Sequence, residues 1–239
     1  MKNSTVFSRQ KKNRRSGALL KQFNHFLLGL TIIVGMLLSA CSDTRVKNRA
    51  VYLLLDTSGT YTAELAKAQS IINYLLATLN SGDSIAVAKI DSGSFSEKDI
   101  IAKATFDSRP STTNDQKRLF KIKIDKFVSN IKHGSRNTDI TGGLVQASDF
   151  VNETQAGEKL VLIFSDLEED LSKGHIRNFP LEMKNIRVVA LNVTKLRSDN
   201  IDPREYKKRL IAWQTRVENG GGQWQVLNDL ERLETLISH

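Results

Sequence analysis

The 239-residue sequence predicts an α/β fold: a doubly wound, mostly parallel central sheet flanked by helices. Three observations carry that expectation. Two apolar runs, 51–55 (VYLLL) and 159–165 (KLVLIFS), lack the alternation of a half-exposed strand and read as strands buried on both faces. Each run stops at an aspartate, Asp56 and Asp166. Around them, segments with apolar residues at helical spacing alternate with short strands, the order that generates parallel sheets.

The amino-terminal region stands apart. Residues 1–25 carry Lys2, Arg9, Lys11, Lys12, Arg14, Arg15 and Lys21 with no acid, and 26–40 is an apolar stretch short for a membrane span. This is the layout of a secretory signal peptide. It ends in Leu38-Ser39-Ala40-Cys41, which resembles the bacterial lipobox and implies cleavage before Cys41 and lipid attachment to it. The alternative is an uncleaved anchor with an incidental cysteine. The expected division is therefore 1–40 signal peptide, 41–49 lipidated cysteine and tether, and 50–239 a single domain. The resemblance implies a lipid-anchored protein of the bacterial cell envelope, on the outer membrane where there are two, because Ser42 rather than aspartate follows Cys41. The tether, SDTRVKNR, reaches at most about 28 Å at roughly 3.5 Å per residue.

Removing 1–40 also changes the charge. The 35 Lys and Arg fall to 28 against 26 Asp and Glu, so an excess of +9 becomes +2. The basic excess belongs to the targeting segment, and nucleic acid is not an expected partner. With Cys41 the only cysteine, no disulfide is available and the core must supply the stability.

The elements follow in order. After the strand at 51–55, residues 62–79 place Leu65, Ile72, Leu75, Leu76 and Leu79 on a helical stripe that Asn80-Ser81-Gly82 stops. Strands are expected at 84–90 and 100–106, then a loop at 109–114 containing Pro110. Helix periodicity returns at 115–131 through Phe120, Ile124, Phe127 and Ile131, with the intervening basic residues as a solvated face. A glycine-containing loop, 133–139, leads into a helix at 140–151. After the second buried strand come a strand at 185–193, a helix at 203–217 with Tyr206, Leu210, Trp213 and Val217 on one stripe, a break at 219–222, a strand at 223–226 and a closing helix at 228–237.

The strand ends carry the chemistry. Asp56, Ser58 and Thr60 follow the first strand, Thr138 lies in a loop before a helix, and Asp166 follows a later strand. Ligands of open α/β sheets bind at the carboxyl ends of the strands. Read alone, Asp56 and Ser58 equally suit a turn that caps the next helix. In this order the residues resemble the metal-ion-dependent adhesion site of von Willebrand factor A domains, over about 50–237, including the late Asn-Gly-Gly-Gly break at 219–222. The resemblance implies Mg²⁺ or Mn²⁺ held by the hydroxyls of Ser58, Thr60 and Thr138, with Asp56 and Asp166 holding the ion's waters. It implies no catalysis, and a protein partner whose acidic side chain completes the site. Two positions depart from the pattern: Thr60 stands where serine is commoner, and Leu167 where glycine is common. Glu168, Glu169 and Asp170 add negative charge nearby.

Two other readings compete. The same residues resemble the motifs of haloacid dehalogenase-like phosphatases, but Ser58 stands where that chemistry needs an aspartic general acid, and Thr138 would have no role. A structural domain with a degenerate site is the third. His25 falls in the signal segment, His133, His175 and His239 lack ligand spacing, and Trp213 fits a core stripe.

Overall fold

A computed structural model of the chain describes residues 48–59, 61, 64–131 and 134–229. The expected signal segment, Cys41, Thr60, His133 and all but two residues of the expected closing helix lie outside these. The strands are β1 (Arg49–Asp56), β2 (Ser84–Ile90), β3 (Ile100–Thr105), β4 (Glu158–Phe164), β5 (Arg187–Leu191) and β6 (Gln223–Leu227). They form one sheet in the order β3-β2-β1-β4-β5-β6, parallel throughout except for β3, which runs antiparallel to β2. β1 is thus central, as its unbroken apolar run requires.

Side chains alternate along β1 into two cores. Val51, Leu53 and Leu55 face α1 (Leu65–Thr78) and α2 (Pro110–Asn130), while Ala50, Tyr52 and Leu54 face α3 (Ile140–Glu153) and α4 (Pro203–Asn219). Leu53 and Leu54 are both fully buried, and each such side chain contributes about 1.5–3 kcal/mol relative to leaving it in water. Both faces are covered, so both core layers hold β1 in place.

Three details differ from the sequence expectation. Helix α2 begins at Pro110 rather than near 115, because proline at the first helical position has no amide hydrogen to satisfy and its fixed φ suits the turn. The buried Thr113 hydroxyl donates to the Asp107 carbonyl at 2.6 Å and secures that first turn. β1 begins at Arg49, so this residue belongs to the domain and not to the tether. Its amide donates to Asp83 Oδ1 (2.8 Å), its guanidinium donates to the Thr78 carbonyl (2.8 Å), and that carboxylate lies 3.6 Å from its Nε. Finally, β4 and β5 are joined through 165–186 with neither helix nor strand. No described helix is long and apolar enough to cross a membrane.

Candidate metal centre

Register builds the site. Leu55 of β1 pairs with Phe164 of β4, which puts the next residues, Asp56 and Ser165, side by side. The Ser165 hydroxyl donates to Asp56 Oδ2 at 2.6 Å, and the Ser58 amide donates to Asp56 Oδ1 at 2.8 Å. Asp56 is 1% exposed and therefore fixed on both oxygens. The loop it starts is pinned from the far side by Tyr61, whose ring stacks edge-on against Phe164 and whose hydroxyl donates to the Asn192 carbonyl at 2.6 Å. Burial holds the Tyr61 phenol protonated, well above its ordinary range.

The middle loop arrives by close backbone approach. The Ser135 amide donates to the Thr57 carbonyl at 2.8 Å, and a Cβ on Gly134 would lie 2.4 Å from the Gly59 nitrogen, so only glycine permits the contact. Thr138 is locked by a reciprocal backbone pair with Asp170, at 2.7 and 3.0 Å. Immediately after it, Asp139 caps α3 by accepting from the Gly142 amide at 2.8 Å. Its carboxylate is also gripped by Arg177, with Nη2 at 2.7 Å and Nε at 3.1 Å from both oxygens. Gly142 has no room for a side chain: its Cβ would meet the Ser94 carbonyl oxygen at 2.6 Å.

The third loop leaves β4. Asp166, 4% exposed, accepts from the Glu168 amide at 2.9 Å. Burial pushes its carboxyl up to about 6 against that amide, and the neighbouring Asp56 carboxylate adds to the rise. Arg209 of α4 donates to the Asp166 carbonyl at 3.0 Å and to Asp199 at 2.8 Å, fixing the loop. Leu167 adopts the left-handed region at φ 65°, which gives a physical reason for glycine being common there. The leucine is tolerated because its side chain is buried at 1% exposure, its amide donates to Ser165 Oγ, and its carbonyl accepts from Trp213 Nε1.

Ser58, Thr138 and Asp166 thereby line one cleft of about 320 Å³, together with Arg136, Glu168 and Asp170. Asp56 sits buried beside it, and Thr60 falls outside the described residues. Of the three acids after Leu167, only Glu168 and Asp170 border the cleft; Glu169 turns away to accept from the Thr141 amide at 2.7 Å. Among the described residues no three or more His, Cys, Asp or Glu side chains form a metal cage. The donor set is of another kind, hydroxyls with two buried carboxylates alongside, and it fits a hard divalent cation that takes oxygen ligands and retains waters. The two acids close together in a buried site leave a negative charge that such an ion would offset.

Sequence reading did not single out Ser165, the Asp139–Arg177 pair or Tyr61. Only Asp139 carried a signal, as an acid three residues before the glycine whose amide it caps.

No protein-family model matches the chain, and neither does any curated protein sequence. Among solved structures it is similar to a von Willebrand factor type A protein from Catenulispora acidiphila, at 14% identity and a TM-score of 0.47, over 80% of this chain and 41% of that one. It thus spans well under half the length of that protein. An aerotolerance-related membrane protein from Bacteroides fragilis matches over 80% of this chain and 97% of its own, at 13% identity and a TM-score of 0.43. BatB from Bacteroides thetaiotaomicron matches over 80% and 96%, at 14% identity and a TM-score of 0.44. Each is a likeness of fold, and the chain is similar in that sense to von Willebrand factor A-type domains.

Proposed function

We propose that the chain is a membrane-anchored, divalent-cation-dependent protein-binding module of the bacterial cell envelope. The observation that carries this reading is the meeting of Ser58, Thr138 and Asp166 in one cleft at the carboxyl end of the sheet, with Asp56 immobilised next to them. The hydroxyls of Ser58, Thr60 and Thr138 would hold Mg²⁺ or Mn²⁺, with Asp56 and Asp166 as acceptors for its waters, and the ion would supply an electrophilic position for a partner's carboxylate. The protein's own contribution is rigidity. Ser165 fixes Asp56, the Asp170 backbone fixes Thr138, and Arg209 fixes the carbonyl of Asp166. Glu168 and Asp170 on the rim repel a partner with diffuse negative charge and favour one presenting a single acid, while Arg136 offers that acid a cation. Anchoring is assigned to a lipid on Cys41.

Calorimetric titration with Mg²⁺ and Mn²⁺ tests the site. Saturable heat is expected for the wild type and none for Asp56→Ala; equal heats in the two proteins would remove the metal centre from the proposal. A carboxylate-bearing partner retained from envelope extract with Mg²⁺ and released by chelator supports the binding role.

A further inference from the structure

A second cleft, of about 380 Å³, lies between the C-terminal half of α2 and the start of β3, and shares no lining residue with the metal centre. Its charged lining is Lys89, Lys98, Lys123 and Lys126 with Asp99, and Ile101 and Phe127 supply apolar wall. Most basic residues of α2 have a structural use. Lys117 donates to the Leu79 carbonyl, Lys121 pairs with Asp125 and Arg118 with Asp115. Lys98, Lys123 and Lys126 differ: none has a carboxylate within ion-pair distance among the described residues. Lys89 is shared between Asp91 and Asp99, lying 3.5 Å from the latter. Four lysines against Asp91 and Asp99 leave the cleft with a charge of +2. Gathering like charges without an anion between them is unfavourable.

The floor of the cleft points the same way. Asp99 is buried, and its Oδ2 has no hydrogen-bond partner. An orphaned acceptor of this kind is unfavourable unless a donor reaches it. A group that fits both features carries two negative charges for the lysines and a hydroxyl for Asp99.

We propose that this cleft binds a phosphomonoester-type dianion: its phosphoryl oxygens engage Lys98, Lys123 and Lys126, and a hydroxyl of the ligand donates to Asp99 Oδ2. Lysine suits the task as a mobile point charge with several donors. The chemistry is shared by free hydrogen phosphate, whose dianion keeps one P–OH, and by a phosphomonoester lipid headgroup with a free glycerol hydroxyl, as in lysophosphatidic acid, whose acyl chain would meet Ile101 and Phe127. A phosphodiester headgroup carries one charge and fits less well.

Thermal unfolding of the full-length chain in neutral detergent with EDTA, which keeps the metal centre empty, provides the test. The probes are inorganic phosphate, short-chain lysophosphatidic acid and short-chain phosphatidylglycerol, with sodium chloride matching ionic strength. A saturable rise of roughly 5–10 °C is expected at about 100 times Kd for phosphate or lysophosphatidic acid. Lys123→Ala/Lys126→Ala, in which both lysines are exposed, should unfold at the wild-type temperature without ligand and bind at least about tenfold more weakly. Tighter binding of lysophosphatidic acid than of phosphate identifies the headgroup as source, and equal affinities identify the free ion. No saturable rise with either, or an undiminished rise in the double variant, would overturn the proposal. So would a larger rise with phosphatidylglycerol than with lysophosphatidic acid.

Discussion

Replacing Asp139 by alanine removes two supports at once, and the structure allows the loss to be worked out. The carboxylate is 1% exposed; it caps α3 through the Gly142 amide and accepts from Arg177 at 2.7 and 3.1 Å. A lost cap costs about 1 kcal/mol. Breaking a buried ion pair costs roughly 3–5 kcal/mol when the survivor stays buried, but Arg177 is 20% exposed and can turn partly to water, so about 2 kcal/mol is expected from this source. The total is about 3 kcal/mol, or a fall of roughly 6–12 °C in Tm for a domain of this size. Arg177→Ala leaves Asp139 charged, buried and without its cation, so it should cost at least as much. Combining the two should cost about 2 kcal/mol less than the sum, since the second substitution removes a charge that the first left stranded. The measurement is urea unfolding of the four proteins of the cycle. Strict additivity, or a loss below about 1 kcal/mol for Asp139→Ala, would show that the pair does not hold the Thr138 loop.

Two further perturbations separate effects that act on the same strand ends. Leu167→Gly relieves about 1 kcal/mol of left-handed strain but empties a fully buried leucine site worth roughly 3 kcal/mol, so a net loss of about 2 kcal/mol is expected by chemical denaturation; a variant as stable as the wild type would mean that strain outweighs packing there. Asp91 is raised by burial but brought down to about 2 by Lys89, the Ser135 hydroxyl and the Ser92 amide. A depressed carboxyl stabilises the fold fully above its unfolded value of 3.8 and loses that contribution as pH falls through about 2. Its side chain is a third exposed, which reduces the term to roughly 1 kcal/mol; the stability gap between wild type and Asp91→Asn should therefore close between about pH 4 and pH 2, and a gap independent of pH would remove the assignment.

How much of this was legible in the sequence depended on whether the determining contact was local. β1 and β4 were visible because full burial imposes an unbroken apolar run, and Asp56 and Asp166 because they terminate those runs. Ser58 and Thr138 were visible by position in a familiar order, and the structure brings both to the cleft that Asp166 lines. Ser165 was invisible, since its bond to Asp56 joins residues 109 apart and depends on strand register. Arg177 lies in the helix-free connection 165–186, where no periodicity marks one basic residue from another. The amino end of α2 was missed because proline serves both loops and first helical turns, and only the geometry of Asp107 and Thr113 decides between them. The solvated-face reading of its lysines fits the structure, in which Lys121, Lys123 and Lys126 are all exposed; sequence did not show that Lys121 pairs with Asp125 while Lys123 and Lys126 border a cleft completed by a distant strand.

The irregularities of the chain are not spread evenly. Five described residues other than glycine have positive φ: Phe95, Gln155, Leu167, Asn185 and Asn192. Three of them are Asn or Gln, and asparagine in particular tolerates the left-handed region cheaply. The two bulky apolar cases, Phe95 and Leu167, both lie in loops that follow the carboxyl ends of parallel strands, β2 and β4. The same end of the sheet holds the two neighbouring buried carboxylates and the connection that lacks a helix. Its amino end is conventional by contrast: Asn48 accepts from the Gly157 and Glu158 amides, and Arg49 pairs with Asp83. Strain and buried charge of this kind persist only where the surrounding structure over-determines them. Here that structure is the pair of packed cores on either side of β1, together with Arg177 and Arg209, which hold the loops by their backbones and acids. The domain is therefore rigid where it is regular and stressed at the end that carries the hydroxyls and aspartates, the distribution expected if that end is built to bind.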